Sequence, residues 1–190
     1  MPPLLDPVLH VTLRIALALL LLSAARHKLA APAAFRDAIA DYRLVPGWAT
    51  TATAAALVAA ELGIGAALLV PVLVPVPVPG LGAAAGLATG ALLALYTGAI
   101  AVNLRRGRRG MDCGCAGPGA RRELDSGLVV RNVILIGTAA LCALSVPVRP
   151  WIWLDTATVA GGVAVSGLLY AAIDRALTTG AGLRAMRGDA

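Results

Sequence analysis

Residues 62–104 read LGIGAALLVPVLVPVPVPGLGAAAGLATGALLALYTGAIAVNL and contain no charged side chain. A bilayer core needs about 20 apolar residues per helix, so this run is long enough for about two crossings. It is interrupted at residues 70–80, VPVLVPVPVPG, where four prolines lack the backbone N–H that a continuing helix requires. The stretch therefore predicts two membrane helices joined by a short extended connection.

The whole chain shares this character. It has 190 residues, of which 59% are hydrophobic and 14% charged, and its mean hydropathy is +0.83. A soluble domain is roughly 45–50% apolar and 25% charged. We therefore predict a single all-α integral membrane domain, an antiparallel bundle of four to five helices embedded in a lipid bilayer. The expected spans cover about 8–26, 48–72, 81–104, 127–147 and 153–174. Five spans are favoured over four, although the glycine and alanine of the last give a weak insertion signal.

The distribution of basic residues predicts the orientation. The first and third connections and the C-terminal tail are rich in arginine and lysine, whereas the second connection has none and the fourth only Arg149. Basic loops favour the cytoplasmic side. This places the N-terminus outside, and the loop 105–126 and the C-terminus in the cytoplasm. The net charge of +6 is thereby explained by topology, and binding to nucleic acid is not expected. Residues 1–31 lack a basic n-region, which argues against a cleaved signal peptide.

Between the first two spans, residues 32–44 have an amphipathic pattern. Pro32 suits a helix start, and Phe35, Ile39 and Tyr42 recur at helical spacing with charged residues between them. We expect a short helix lying along the membrane interface. A plain connecting helix without a site explains the pattern equally well.

Two charged residues are expected inside the membrane. Glu61 lies near the middle of the second span and Arg14 in the first. An unpaired carboxylate there costs at least about 2.5–3.5 kcal/mol on insertion scales, so it should be paired or protonated. Counting about 1.5 Å per residue from the inner ends of both spans puts the two at one depth. We therefore predict antiparallel neighbouring spans with Arg14 paired to Glu61. A structural pair is favoured over a proton or substrate role.

The third span carries a small residue at every fourth position. Such a row allows close approach of a neighbouring backbone. We expect packing inside the bundle, with a dimer interface as the alternative. The row consists of Gly82, Gly86, Gly90, Ala94 and Gly98.

The cysteine loop, 105–126, includes RRGRRGMDCGCAGPGARRE at residues 105–123. Nearby positive charge lowers the pKa of a thiol, so the flanking arginines favour reactive thiolates at Cys113 and Cys115. Gly114 relaxes the backbone between them, and a disulfide across one residue would be strained and easily reduced. Thiol–disulfide exchange is the favoured chemistry. A metal site that adds His27 or Asp112, and an unreactive turn, stay open. Cys142 is expected to be a buried small hydrophobe.

Several motifs together resemble a known family. They are RHKL at 26–29, the F…Y.LVP pattern over 35–46, AAELGIGAALL at 59–69, CGCAG at 113–117 and GLVVRNVILI at 127–136. The first three resemble the DoxX-like superfamily, and the last two narrow the resemblance to the methylamine utilisation protein MauE family. That family usually has phenylalanine where this chain has Ala116, which affects how the loop packs but not the paired cysteines.

The resemblance implies a function. It points to a multi-pass protein of the bacterial inner membrane that supports maturation of the disulfide-rich small subunit of methylamine dehydrogenase, a periplasmic enzyme, with a thioredoxin-like partner. It implies Cys113 and Cys115 as the redox pair and Lys28, Glu61 and Arg131 as further matching positions, with Arg131 supporting the pair. Enzymatic activity stays open. A non-catalytic membrane scaffold and a small metal or solute carrier are the alternatives. No cofactor is predicted, and a quinone or a metal ion remains an open possibility.

Overall fold

The computed structural model describes residues 5–74, 80–108, 126–147 and 149–187, with side chains as far as residue 176. This part of the chain folds into six α-helices. They are α1 (Pro7–Ala30), α2 (Pro32–Tyr42), α3 (Thr50–Leu73), α4 (Leu81–Arg105), α5 (Ser126–Cys142) and α6 (Trp153–Arg187), and a 3₁₀ turn at Gly47–Ala49 leads into α3.

Four helical segments are long and apolar enough to cross a membrane: Pro7–Ala30, Gly47–Leu73, Leu81–Arg105 and Trp153–Ala176. Helix α5 is a fifth, shorter apolar helix of 17 residues, about 25 Å long at ~1.5 Å per residue. It ends at Cys142, whereas the sequence led us to expect a span to residue 147. The predicted fold class, an all-α membrane protein with four to five spans, is confirmed.

Local sequence signals explain where these helices begin and end. The Asp6 carboxylate accepts a hydrogen bond from the backbone N–H of Val8 at 2.8 Å and caps α1. Proline occupies the first position of α1 and of α2, where its missing N–H costs nothing. Gly80 precedes α4 with φ 77°, a left-handed conformation that glycine adopts without a steric penalty.

The helices pack as an antiparallel bundle around α1. Helix α1 contacts α3 extensively, and α4 packs on both α3 and α5, while α6 lies against α1. The central core is built from small and branched apolar side chains of α1, α3, α4 and α5. Its buried members are Leu17, Ala18, Leu21, Leu68, Ala85, Leu92, Ala139 and Cys142.

The bundle has two ends, which we name by their contents. At the α2 end, α2 packs against the start of α3, and Tyr42 joins Ile100 of α4 and Leu128 of α5 in a second apolar cluster. At the far end, Nε2 of His10 and Nη2 of Arg14 lie 3.1 and 3.2 Å from the carbonyl oxygen of Cys142. The end of α4 and the start of α5 therefore both lie at the α2 end.

Also near the far end, a bidentate ion pair holds the connection before α6. Arg149 Nη1 and Nη2 donate to the two carboxylate oxygens of Asp155 at 2.8 and 2.7 Å. These hydrogen bonds raise the pKa of the Arg149 guanidinium above its ordinary value. Asp155 also accepts from the backbone N–H of Ile152, so the pair orders the first turn of α6.

The row of small residues in α4 packs inside the bundle at one end only. A Cβ on Gly86 would lie 2.8–3.0 Å from backbone atoms of Ala139, Cys142 and Ala143, and one on Gly82 would overlap the Arg14 guanidinium. At Gly98 no described atom lies within 4 Å of that position. The expected internal packing is therefore confirmed at Gly82 and Gly86, and Gly98 faces outward.

Candidate functional site

Three polar side chains from three helices meet inside the bundle near the α2 end. Lys28 Nζ of α1 forms an ion pair with Oε1 of Glu61 in α3. The Tyr96 hydroxyl of α4 donates to the same oxygen at 2.8 Å, and Lys28 Nζ donates to the Tyr96 oxygen at 3.3 Å. We call these residues the Lys–Glu–Tyr centre.

Water is nearly excluded from this centre. Lys28 is 4% exposed and Glu61 is 0% exposed. Isolated charges in an apolar bundle are expensive, whereas a paired and hydrogen-bonded carboxylate is tolerated. The Tyr96 hydroxyl supplies the second hydrogen bond to Oε1. Glu61 is therefore paired, as its position in an apolar helix requires.

Aromatic rings surround the Lys28 ammonium. Its nitrogen lies 4.9 Å from the ring centroid of Phe35 in α2 and 4.8 Å from that of Tyr96. A desolvated cation gains substantially from such ring faces. One ammonium group thus links α1, α2, α3 and α4, which explains why the amphipathic helix α2 folds back against the bundle.

The centre retains unused hydrogen-bonding capacity. Lys28 has three N–H donors, and within the described part of the chain it makes two hydrogen bonds, to Glu61 and Tyr96. Oε2 of Glu61 is buried without a hydrogen-bond partner among the described residues. A buried donor and a buried acceptor are thus available to a bound molecule, because unsatisfied polar groups in a low-dielectric site favour new partners.

The predicted pairing of Arg14 with Glu61 is wrong. The two helices are antiparallel neighbours as expected, but their register differs. Gly65 packs against Leu22 and Ala18, which aligns Glu61 with Lys28 and leaves Arg14 beside Gly82 at the far end. The depth count assumed that both helices start at the same level. In the structure Glu61, far from the start of α3 at Thr50, pairs with Lys28 close to the end of α1 at Ala30, so α3 extends beyond the end of α1.

An apolar cavity of about 170 Å³ adjoins the centre. It lies between α2 and the adjacent faces of α3 and α4, with Lys28 and Tyr96 on its wall. Phe35, Ile39 and Leu57 contribute apolar surface. The cavity therefore combines a mainly hydrophobic wall with one cationic group.

Arg131 occupies a separate position. Its Nη1 donates to Oδ1 of Asp174 in α6 at 2.9 Å, and its guanidinium carbon lies 5.4 Å from the ring centroid of Tyr170. These contacts tie α5 to α6. Of the predicted site residues, Lys28 and Glu61 therefore come together, whereas Arg131 contacts Asp174 and Tyr170 of α6.

Neither Tyr96 nor Asp174 was predicted from the sequence as a polar contact inside the bundle. Tyr96 is the one aromatic residue of α4, and a hydroxyl in an apolar helix indicates a hydrogen-bond partner. Asp174 follows Tyr170 by one helical turn, a spacing that places both on one face. Neither signal identifies the partner helix.

The predicted redox pair, Cys113 and Cys115, lies outside the described residues, as does Asp112. The adjoining residues are described: Arg108 Nη1 donates to Oδ1 of Asn103 at 3.4 Å, and Ser126 begins α5. His27 is half-buried near the end of α1. Across the described ranges no group of three or more histidine, cysteine or acidic side chains is arranged to hold a metal ion.

Comparison with known proteins identifies the family. The model of the family described as methylamine utilisation protein MauE matches residues 6–145. The chain belongs to the MauE family. The match includes α1 to α5, and so the Lys–Glu–Tyr centre and both cysteines of the loop. The resemblance to the MauE family stated from the motifs is thereby confirmed.

Individual relatives agree with this assignment. The chain is 38% identical over 166 residues to methylamine utilization protein MauE of Paracoccus versutus, covering 87% of this chain and 83% of the relative. It is 40% identical over 145 residues to the protein of the same name from Methylorubrum extorquens, covering 76% and 74%. No solved structure matches the chain.

Proposed function

We propose that this protein is an inner-membrane accessory protein of methylamine utilisation that performs thiol–disulfide exchange through Cys113 and Cys115. Its relatives carry the name of methylamine utilisation proteins, and the bundle described above provides the membrane anchor. The client is a periplasmic enzyme such as methylamine dehydrogenase, and a thioredoxin-like protein is the exchange partner.

One observation carries this proposal. The two helices that flank the CGC segment are held together at the α2 end by the cluster of Ile100, Leu128 and Tyr42. The described residues on either side of the arginine-rich segment, the end of α4 and the start of α5, are therefore packed together. Guanidinium groups favour the thiolate form, and a thiolate is the species that attacks a disulfide.

The exchange step balances without a cofactor. A thiolate of the pair attacks the disulfide of the thioredoxin-like partner, forming a mixed disulfide and releasing one partner thiolate. The second cysteine then attacks the mixed disulfide, which leaves a Cys113–Cys115 disulfide and a reduced partner. The same steps run in reverse when the partner arrives reduced, so the potentials of the two pairs set the direction.

Trapping of the mixed disulfide tests this chemistry. Cys115→Ser removes the expected resolving thiol if Cys113 attacks first, and Cys113→Ser does so in the opposite case. We expect one of these variants to accumulate a covalent complex with a thioredoxin-like protein that reductant releases. Cys142→Ser is the matched control and should behave like the wild type. Full function of the Cys113→Ser/Cys115→Ser double variant would instead support a non-catalytic scaffold.

The proposed orientation has its own test. Basic connections place the CGC segment and the C-terminus in the cytoplasm. A membrane-impermeant maleimide should therefore label the loop cysteines in inverted vesicles and leave them unlabelled in intact cells whose outer membrane has been permeabilised. Labelling in such cells would show that the orientation is the opposite of the one proposed.

A further inference from the structure

We propose that the cavity beside the Lys–Glu–Tyr centre binds the ring of a membrane quinone, with a ring carbonyl accepting a hydrogen bond from Lys28. The site consists of described residues of α1 to α4 and the α2–α3 connection. The redox role of the quinone rests on the proposed thiol chemistry, whereas its binding rests on the cavity alone.

The size of the cavity fits a single ring. Its volume is about 170 Å³, and an engineered cavity of roughly 150 Å³ with apolar walls binds benzene. Larger organic ligands need pockets of about 300 Å³ or more. The aromatic rings of Phe35 and Tyr96 on the wall offer faces against which a planar ring can stack.

The polar end of the cavity selects the chemical class. Lys28 reaches the wall with one N–H that has no hydrogen-bond partner among the described residues. A hydrocarbon chain would leave that donor without a hydrogen bond, whereas a carbonyl oxygen accepts from it. The positive charge of the cavity wall is balanced by Glu61, so a neutral acceptor suits the site better than an anion.

The cavity is bordered by side chains on the outer surface of the bundle. Leu95 of α4, which lines it, is 59% exposed, and Leu44 of the α2–α3 connection is 43% exposed. Leu95 lies inside a membrane-spanning helix, so its exposed surface faces lipid. A ligand that enters from the bilayer can leave its isoprenoid tail there while the ring occupies the cavity.

A quinone gives the thiol pair an electron acceptor that dissolves in the membrane. Oxidation of the Cys113 and Cys115 thiols to one disulfide releases two electrons and two protons. Reduction of a quinone to a quinol takes up both electrons and both protons, so the reaction balances. Lys28 donates to the ring carbonyl, the ring of Tyr96 contributes to the cavity wall, and Glu61 keeps the ammonium in place.

Binding can be measured on the full-length protein in lipid nanodiscs. A short-tailed benzoquinone with a photoreactive azido group is titrated, crosslinked and located by peptide mass spectrometry. We expect saturable labelling of peptides from α2, α3 or α4 that line the cavity. Absence of saturable labelling in the wild type, or labelling confined to α6, would overturn the proposal.

Cavity-filling variants sharpen the test. Ala99→Phe and Ala38→Phe place a ring into the cavity from α4 and α2 respectively, and each should weaken binding about tenfold or more. Tyr96→Phe keeps the ring but removes the hydroxyl that orients the Lys28 ammonium, so it should weaken binding about three- to tenfold. The control Leu87→Phe enlarges an α4 residue that is 64% exposed and does not line the cavity, so it should bind like the wild type. Wild-type binding by both filling variants, with a normal elution volume, would refute the site.

The outcome separates this inference from the proposed function. Thiol exchange with a thioredoxin-like partner is assayed on the same samples without quinone. Exchange without quinone binding would overturn the quinone site and leave the thiol chemistry standing. Quinone binding with inert thiols would support the quinone site and overturn the thiol chemistry. A phospholipid that copurifies in the cavity and is not displaced by the quinone would also overturn the site.

Discussion

Lys28 near the end of α1 and Glu61 inside α3 form an ion pair whose side chains are only 2% and 1% exposed. Removal of one partner leaves an uncompensated charge in the bundle, which costs about 3–5 kcal/mol for buried pairs. We therefore expect Glu61→Gln to be destabilised by that amount, measured by denaturation in mixed micelles. The double variant Lys28→Met/Glu61→Leu has no charge to bury and should recover most of the loss. Wild-type stability of Glu61→Gln would show that the pair contributes nothing.

Arg14 and Glu61 should be energetically independent. Arg14 donates to the carbonyl oxygen of Cys142 at the far end, and residues without shared partners add within about 0.5 kcal/mol. A double-mutant cycle with Arg14→Met and Glu61→Gln should give a coupling energy within that limit. The parallel cycle with Lys28→Met should give about 0.5–3 kcal/mol, the range for residues in contact. A large coupling energy between Arg14 and Glu61 would support the pairing expected from the sequence.

Gly86 and Gly98 should respond oppositely to the same substitution. The Cβ of Gly86→Ala would meet backbone atoms of Cys142 and Ala143 at 2.8–2.9 Å, and backbone cannot move aside cheaply. We expect a loss of about 1–3 kcal/mol, typical of overpacking. Gly98→Ala meets no described atom within 4 Å and should gain about 0.5–1 kcal/mol from helix propensity. Equal effects in thermal denaturation of the purified protein would contradict the packing of α4 on α5.

Cys142 should resist alkylation until the protein unfolds. Its side chain is 0% exposed, and it belongs to the central core with Leu68 and Ala139. In a Cys113→Ser/Cys115→Ser background, a permeant maleimide should modify it only after denaturation. Ser145→Cys in the additional absence of Cys142 is the exposed control, since Ser145 lies beyond the end of α5. Rapid modification of native Cys142 would mean that it takes part in thiol chemistry.

The all-α fold class and the number of helices could be predicted from local sequence patterns. The uncharged run favours membrane helices through the hydropathy of its own residues, and Pro32 favours a helix start through its missing N–H. Their effects therefore hold in any packing. The short α5 was harder to predict, because apolar residues beyond Cys142 have the same hydropathy whether or not they are helical.

The candidate site could be predicted from the sequence only in part. Glu61 was identified because a carboxylate in an apolar helix needs a partner, and that need is a property of the residue alone. The partner depends on the depth at which two helices meet. The packing of α2 against the start of α3 set that depth, and no pattern within α1 or α3 records it.

The sequence by itself determined that this chain is a helical membrane protein, that its charges are confined mainly to the connections, and that Glu61 must be neutralised. Tertiary structure alone decided that Lys28 and Tyr96 pair with Oε1 of Glu61 and that Arg14 does not. It also decided that a ring-sized cavity forms beside them. The physical reason is that insertion and helix formation depend on each segment's own residues, whereas register and cavities arise where several segments exclude one another's volume.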